Sequence, residues 1–277
     1  MGLNFMVSKS SNDDTYYSYS KSKIFCLGDV HGGYKALLQC LERSNFNKEE
    51  DTLISLGDIC DGRDQVYECV EELLTIKNLV AIRGNHDQWF YEFIRTGIHG
   101  SQWTQGAHKT MESYINNDSH KSENDKYTKT FKIPESHERF FGTQLNYYID
   151  EKNRLFVHGG FNRHYDINKQ SFEYIYYWDR DLWNSALSHE AVLRGFQKTG
   201  NLKQPEFKIK DKFLEIYIGH TTTQFWNTTE YMKAANIYNV DCGAGGNGRL
   251  CMLNVDTKEA FYSDPLDQIY PEQKGRW

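Results

Sequence analysis

The sequence predicts an α/β fold, and three observations carry that prediction. Short apolar runs alternate with stretches whose apolar residues fall at helical spacing. The first three runs end in Gly28-Asp29-Val30-His31-Gly32, Gly57-Asp58-Ile59-Cys60-Asp61 and Gly84-Asn85-His86-Asp87, so polar, metal-ligating side chains follow apolar strands each time. Alternation of this kind implies βαβ units and a mainly parallel or mixed sheet. Loops at the carboxyl ends of such strands are where open α/β sheets bind ligands.

Taken in order, residues 23–27 are an apolar strand, followed by a helix through Ala36, Leu37, Leu38, Cys40 and Leu41. Residues 52–56 form the next strand, and 66–76 place apolar side chains at helical spacing. A third strand, 79–82, runs into Arg83-Gly84-Asn85-His86, with an aromatic helix over 89–94. Between 96 and 146 the alternation breaks down. Helices are expected near 104–115 and 135–141, around a charge-balanced stretch, 118–129, of the kind that forms a solvated face. The region reads as an insertion beside the site or a surface excursion.

Strands resume in the second half. Residues 147–150 and 154–157 read as a hairpin ending in His158-Gly159-Gly160, and 213–218 ends in Gly219-His220-Thr221. Residues 236–240 lead into a glycine-rich stretch, 243–248, which lacks a Gly-Lys-Ser/Thr ending and reads as a tight turn. Residues 249–254 pair with 260–263. This half is expected to form a second sheet packed on the first. Residues 1–22 hold no apolar segment and read as a flexible tail, leaving 23–277 as one domain with the insertion at about 96–146.

A net charge of −6 argues against sequence-independent nucleic-acid binding and against an anionic membrane surface. It does not oppose a phosphorylated substrate, because bound divalent cations reverse the local sign. No run of about 18 apolar residues is present, so no membrane span is expected. The six cysteines show no CxxC pair, which suits reduced thiols and a cytoplasmic setting. Cys60 is read as a small space-filling residue in preference to a soft ligand.

The motif residues suggest a pair of divalent metals. Asp29, His31 and Asp58 can serve one ion, and Asp58, Asn85, His158 and His220 a second, with the Asp58 carboxylate shared. Two metals roughly 3.5–4 Å apart can hold a bridging hydroxide and stabilise in-line displacement at phosphorus. His86, next to Asn85, is placed to protonate the leaving alkoxide. Asp61, three residues beyond Asp58, can orient that imidazole and favour its charged form. Arg180, in Trp178-Asp179-Arg180-Asp181, is a candidate fork for phosphate oxygens, with a surface ion pair as the alternative. The aromatic run from Phe172 to Trp178 is expected to pack beneath the Arg180 loop, with stacking on a base as the alternative. Histidines outside the motifs read as core or surface residues; His108, beside Gln105-Gly106, stands nearest to the site.

The ordered series GD-x-HG, GD-x-x-D, GNH[D/E], HGG and GHT resembles the calcineurin-like metallophosphoesterases, and most nearly their phosphoprotein phosphatase branch of bacterial and bacteriophage type. The resemblance covers roughly 24–263. It implies a four-layer α/β/β/α sandwich with a dinuclear centre at strand carboxyl ends, carrying manganese, or iron or zinc. It also implies the ligand set above, His86 as general acid paired with Asp61, and phosphate contacts from Arg180, Asn85 and a second-motif arginine. That motif normally continues Asp-Arg-Gly, whereas here it reads Asp61-Gly62-Arg63, displacing the arginine by one residue. Arg63 therefore stands as the displaced phosphate-ligand candidate, with a structural role the favoured reading.

The expected function is metal-dependent phosphoester hydrolysis of the serine/threonine protein phosphatase type, acting on a phosphoprotein or small phosphoester. A symmetrical diadenosine tetraphosphate hydrolase is the alternative enzyme. A non-catalytic scaffold on the same fold would have lost ligands, and none of the six is missing.

Overall fold

Ten strands and eight helices follow one another in the computed structural model, which describes residues 22–117, 131–199 and 206–276. The expected tail up to residue 21 and the polar stretch 118–129 lie outside the described residues. The chain opens with β1 (Ile24–Leu27), α1 (Tyr34–Arg43), β2 (Thr52–Ser55), α2 (Val66–Leu74), β3 (Asn78–Ala81) and α3 (Asn85–Thr96). Two helices of the expected insertion follow, α4 (Ala107–Asn116) and α5 (Glu135–Thr143). The hairpin β4 (Tyr147–Ile149) and β5 (Arg154–Val157) precedes α6 (Ile175–Trp178) and α7 (Asp181–Thr199). Then come β6 (Glu215–Ile218), β7 (Met232–Ala234), β8 (Ile237–Asn239), β9 (Cys251–Asn254), β10 (Ala260–Tyr262) and α8 (Leu266–Ile269).

The strands make two five-stranded mixed sheets, ordered β10-β9-β1-β2-β3 and β4-β5-β6-β8-β7. Parallel pairing of β1, β2 and β3 brings their carboxyl ends, and the three polar turns, to one edge. Parallel pairing of β5, β6 and β8 does the same for His158 and His220.

Successive strand residues face opposite ways, and the core divides accordingly. Phe25, Leu27 and Leu53 face outward under helices α1 and α2. Cys26, Ile54, Phe156, Tyr217 and Tyr238 fill the space between the sheets. Leu155, Val157, Ile216 and Ile218 face α6 and α7. Three apolar seams make four layers. The helices bury the stripe that their spacing predicts: α2 buries Val66, Cys69, Val70 and Leu73.

Two expectations need correction. The hairpin β9–β10 does not join the second sheet; β9 lies antiparallel to β1, with Phe25 opposite Asn254 and Leu27 opposite Met252. All four β9 residues are buried, as a strand beside the centre of a covered sheet requires. The aromatic helix begins at Asn85 instead of 89, so Asn85 and His86 ride on its rigid first turn. Among the described residues, no helix is long and apolar enough to cross a membrane.

Candidate active site

The turns that follow the strands hold four predicted site residues in left-handed backbone conformation: His31 (φ 49°), Asp58 (φ 50°), Asp61 (φ 70°) and His220 (φ 66°). This region costs non-glycine residues of order 1–3 kcal/mol each, so the surroundings must enforce it. They do so with backbone bonds: Val30 N and His31 N both donate to Asp58 O, at 3.0 and 2.9 Å, and Arg63 N donates to His31 O at 3.0 Å. Asp87, a residue given no role from sequence, ties the second turn to α3. Its Oδ1 accepts from Ile59 N (2.8 Å) and Cys60 N (3.1 Å), and its Oδ2 from Gln144 Nε2 (2.9 Å).

The six predicted metal-ligating residues converge, and all are buried. Ligand atoms of Asp29, His31 and Asp58 lie within 4.8 Å of one another, as do those of Asp58, His158 and His220. Asp58 belongs to both groups. Asn85 completes the second, its Oδ1 3.3 Å from His158 Nε2. The imidazoles are oriented from behind. His31 Nδ1 donates to Cys60 O at 2.9 Å and His158 Nδ1 to Leu56 O at 2.8 Å, which turns each Nε2 toward the cluster. Cys60 itself fills space in the core beneath the helices.

His31 Nε2, Asp58 Oδ2, His220 Nε2 and Asp241 Oδ2 are buried without a hydrogen-bond partner among the described residues. Such groups are costly to bury, and a cation between them removes the cost. The electrostatics agree. Burial, with Asp241, pushes the Asp29 carboxyl well up. Burial, with Arg276, holds the His31 imidazole well below its ordinary value. Burial also opposes a charge on His158, but Asp58 and Asp29 outweigh it and push that imidazole up to about 9. The cluster thus combines unpartnered buried polar atoms with carboxylates and imidazoles that perturb one another, and its residues fit two divalent ions.

His86 stands beside this cluster, its Nε2 4.0 Å from Asp58 Oδ2, and is anchored through its other ring nitrogen. Its Nδ1 lies 2.5 Å from Asp61 Oδ2. Asp61 is fixed in turn by Thr110 Oγ1, 2.6 Å from Oδ1, and Trp103 Nε1, 2.8 Å from Oδ2. Both donors come from the 96–146 region, which therefore braces the site. Their role was invisible in sequence because neither sits in a motif. His108, by contrast, is exposed on α4.

A cavity of about 140 Å³ opens over Asn85, His86 and His220, between Trp89 and Trp178, with Arg180 and Arg276 also lining it. Arg180 Nη1 donates to His220 O and Thr221 Oγ1, both at 3.0 Å. Of the aromatic run, Tyr176 and Tyr177 pack inward, whereas Phe172 and Tyr174 are exposed and stack on each other, and Trp178 stands at the mouth, 5.3 Å from the Trp89 ring and 40% exposed. The placement of Arg63 as a phosphate ligand is corrected. Left-handed Asp61 and Gly62 (φ 93°) turn Arg63 back into the protein, where it is 0% exposed and donates to Ala244 O and Gly246 O, both at 2.7 Å. Sequence reasoning missed Asp241, whose Oδ1 caps the turn at Gly243 N (3.0 Å), and Arg276.

Gly84 is required by close approach. A Cβ there would sit 2.1 Å from Asp58 Oδ1 and 2.3 Å from Asp58 N. Gly84→Ala is expected to displace Asp58, lower the thermal midpoint by roughly 2–10 °C and reduce metal retention. Thermal denaturation and metal analysis check both; an unchanged midpoint with full metal content would contradict the packing described.

The profile of the calcineurin-like phosphoesterase family matches residues 22–224. Serine/threonine-protein phosphatase 1 of Salmonella typhimurium is 34% identical over 65 residues, 24% of this chain and 30% of that protein. The symmetrical bis(5'-nucleosyl)-tetraphosphatase of Haemophilus influenzae is 34% identical over 64 residues, 23% of each. The matched segments thus span a third or less of these two relatives. A crystal structure described as a candidate diadenosine tetraphosphatase superposes with TM-score 0.58 at 13% identity, covering 88% of this chain and 94% of that one. That likeness concerns the fold.

Proposed function

Because the chain belongs to the calcineurin-like phosphoesterase family, a family of metal-dependent phosphoester hydrolases, we propose that it hydrolyses phosphomonoesters in the manner of a serine/threonine protein phosphatase. Asp29, His31 and Asp58 would hold one divalent cation, and Asp58, Asn85, His158 and His220 the other; manganese is the first metal to supply, with iron and zinc next. When bound, the pair supplies an activated water and Lewis-acid stabilisation for in-line displacement. Arg180 and Asn85 bind phosphate oxygens at the cavity floor and rim. His86 gives a proton from Nε2 to the departing alkoxide, while Asp61 holds the imidazole in place and stabilises its charge.

The observation that carries the monoester reading is the cavity. Its lining sets the Arg180 guanidinium and the Asn85 amide beside His86, so phosphate-binding groups and a proton donor face one phosphoryl group and its ester oxygen. A second reading, hydrolysis of a dinucleoside polyphosphate, draws on the exposed Trp178 and Phe225 (40% and 67%), either of which can stack on a base.

A substrate panel separates them: para-nitrophenyl phosphate, a phosphoserine peptide and diadenosine tetraphosphate, each with manganese. Turnover of the first two is expected. Turnover of the dinucleotide alone would overturn the monoesterase reading, and no turnover at full metal occupancy would point to a scaffold.

A further inference from the structure

We propose that Arg276 is a phosphate-binding residue of this site, supplying from the carboxyl-terminal segment the guanidinium that Arg63 does not. The assignment rests on the monoesterase reading above. Its first support is position. Arg276 lines the same cavity as Arg180, and its Nη1 lies 3.2 Å from His86 Nε2. A guanidinium only donates, so Nε2 is the acceptor in this contact. It must be released before that atom can carry a proton to a leaving group. The oxygens of a phosphate dianion are stronger acceptors than a neutral imidazole, and a phosphate entering beside His86 draws the guanidinium away from it.

The second support is how the segment is held. Arg276 N donates to Gly245 O at 3.0 Å. Gln273 Nε2 donates to Asp64 Oδ1 at 2.8 Å, and the Tyr270 hydroxyl to Gln65 Oε1 at 2.7 Å. Asp64 and Gln65 directly follow Arg63. The segment that delivers Arg276 is therefore fastened to the loop whose own arginine has turned inward. The third is charge. Arg180 and Arg276 line the same cavity. Two guanidiniums lining one small cavity repel, and an anion between them removes that repulsion.

The test uses the full chain loaded with manganese, in wild-type, Arg276→Ala and Arg276→Lys forms. Inorganic phosphate binding is read by calorimetry, para-nitrophenyl phosphate hydrolysis by KM and kcat, and metal content by elemental analysis. In the alanine variant, phosphate affinity is expected to fall about 10- to 100-fold and KM to rise, with metal content unchanged. Lysine is expected to restore part of the affinity, as a point charge without the fork. Equal phosphate affinity in wild type and Arg276→Ala would overturn the assignment, and wild-type turnover of para-nitrophenyl phosphate would leave the monoesterase reading standing. Weakened phosphate binding in the variant, with no hydrolysis by the wild type, would sink that reading and keep Arg276 as a phosphate ligand.

Discussion

Replacing His86 with alanine is expected to lower turnover by about 10²–10⁴-fold while leaving the metal content intact. The geometry separates the two effects. The imidazole makes its short contact to Asp61 through Nδ1 and presents Nε2 to the cavity. The hydrogen bond that His86 makes to the candidate metal-ligating residues is through its backbone N, which donates to Asp58 Oδ1 at 3.0 Å and survives the substitution. Asp61 keeps Thr110 and Trp103 as donors, so the variant does not leave an unsatisfied buried carboxylate. The loss depends on the leaving group. An alkoxide from a phosphoserine peptide needs a proton, whereas para-nitrophenoxide departs readily without one. The peptide is therefore expected to suffer the larger loss in kcat. Parallel loss of both metals would show instead that His86 is a ligand.

Asp58→Asn is expected to empty both metal positions and to reduce activity by at least about 100-fold, since even substitution of supporting residues costs metal sites 10–100-fold. Asp58 Oδ1 must remain an oxygen because it accepts from His86 N. The new amide nitrogen then takes the place of Oδ2, which faces His158 Nε2 at 3.4 Å and His31 Nε2 at 3.7 Å. It would aim two N–H donors at the space a cation needs, and remove the one charge common to both groups. Metal analysis after dialysis checks this. Two retained ions would count against sharing of Asp58.

Why this much was readable in sequence follows from how the site is built. Asp29, His31, Asp58 and Asn85 follow apolar strands within a few residues, and parallel pairing necessarily brings such ends together. Their convergence is a consequence of local pattern plus sheet topology. Residues that act across the fold left no such trace. Thr110 and Trp103 reach Asp61 from a region with irregular patterning, and Arg276 approaches His86 from a segment 190 residues further along. The β9–β10 hairpin carried its pairing in its sequence but not its sheet, because buried apolar strands fit either one. Strand β7, three residues with Lys233 at its centre, is too short to show alternation. Arg63 is the instructive case. A displacement of one residue already argued for a structural role, and two successive positive-φ residues supply it by turning the side chain into the protein.

We propose that this chain hydrolyses phosphomonoesters with two divalent ions that share the Asp58 carboxylate. The most direct test is a manganese titration of metal-free protein, following para-nitrophenyl phosphate hydrolysis and bound metal together. Activity is expected to climb until two ions are bound per chain and then to level off. Full activity in the metal-free protein, or none with two ions bound, would contradict the account.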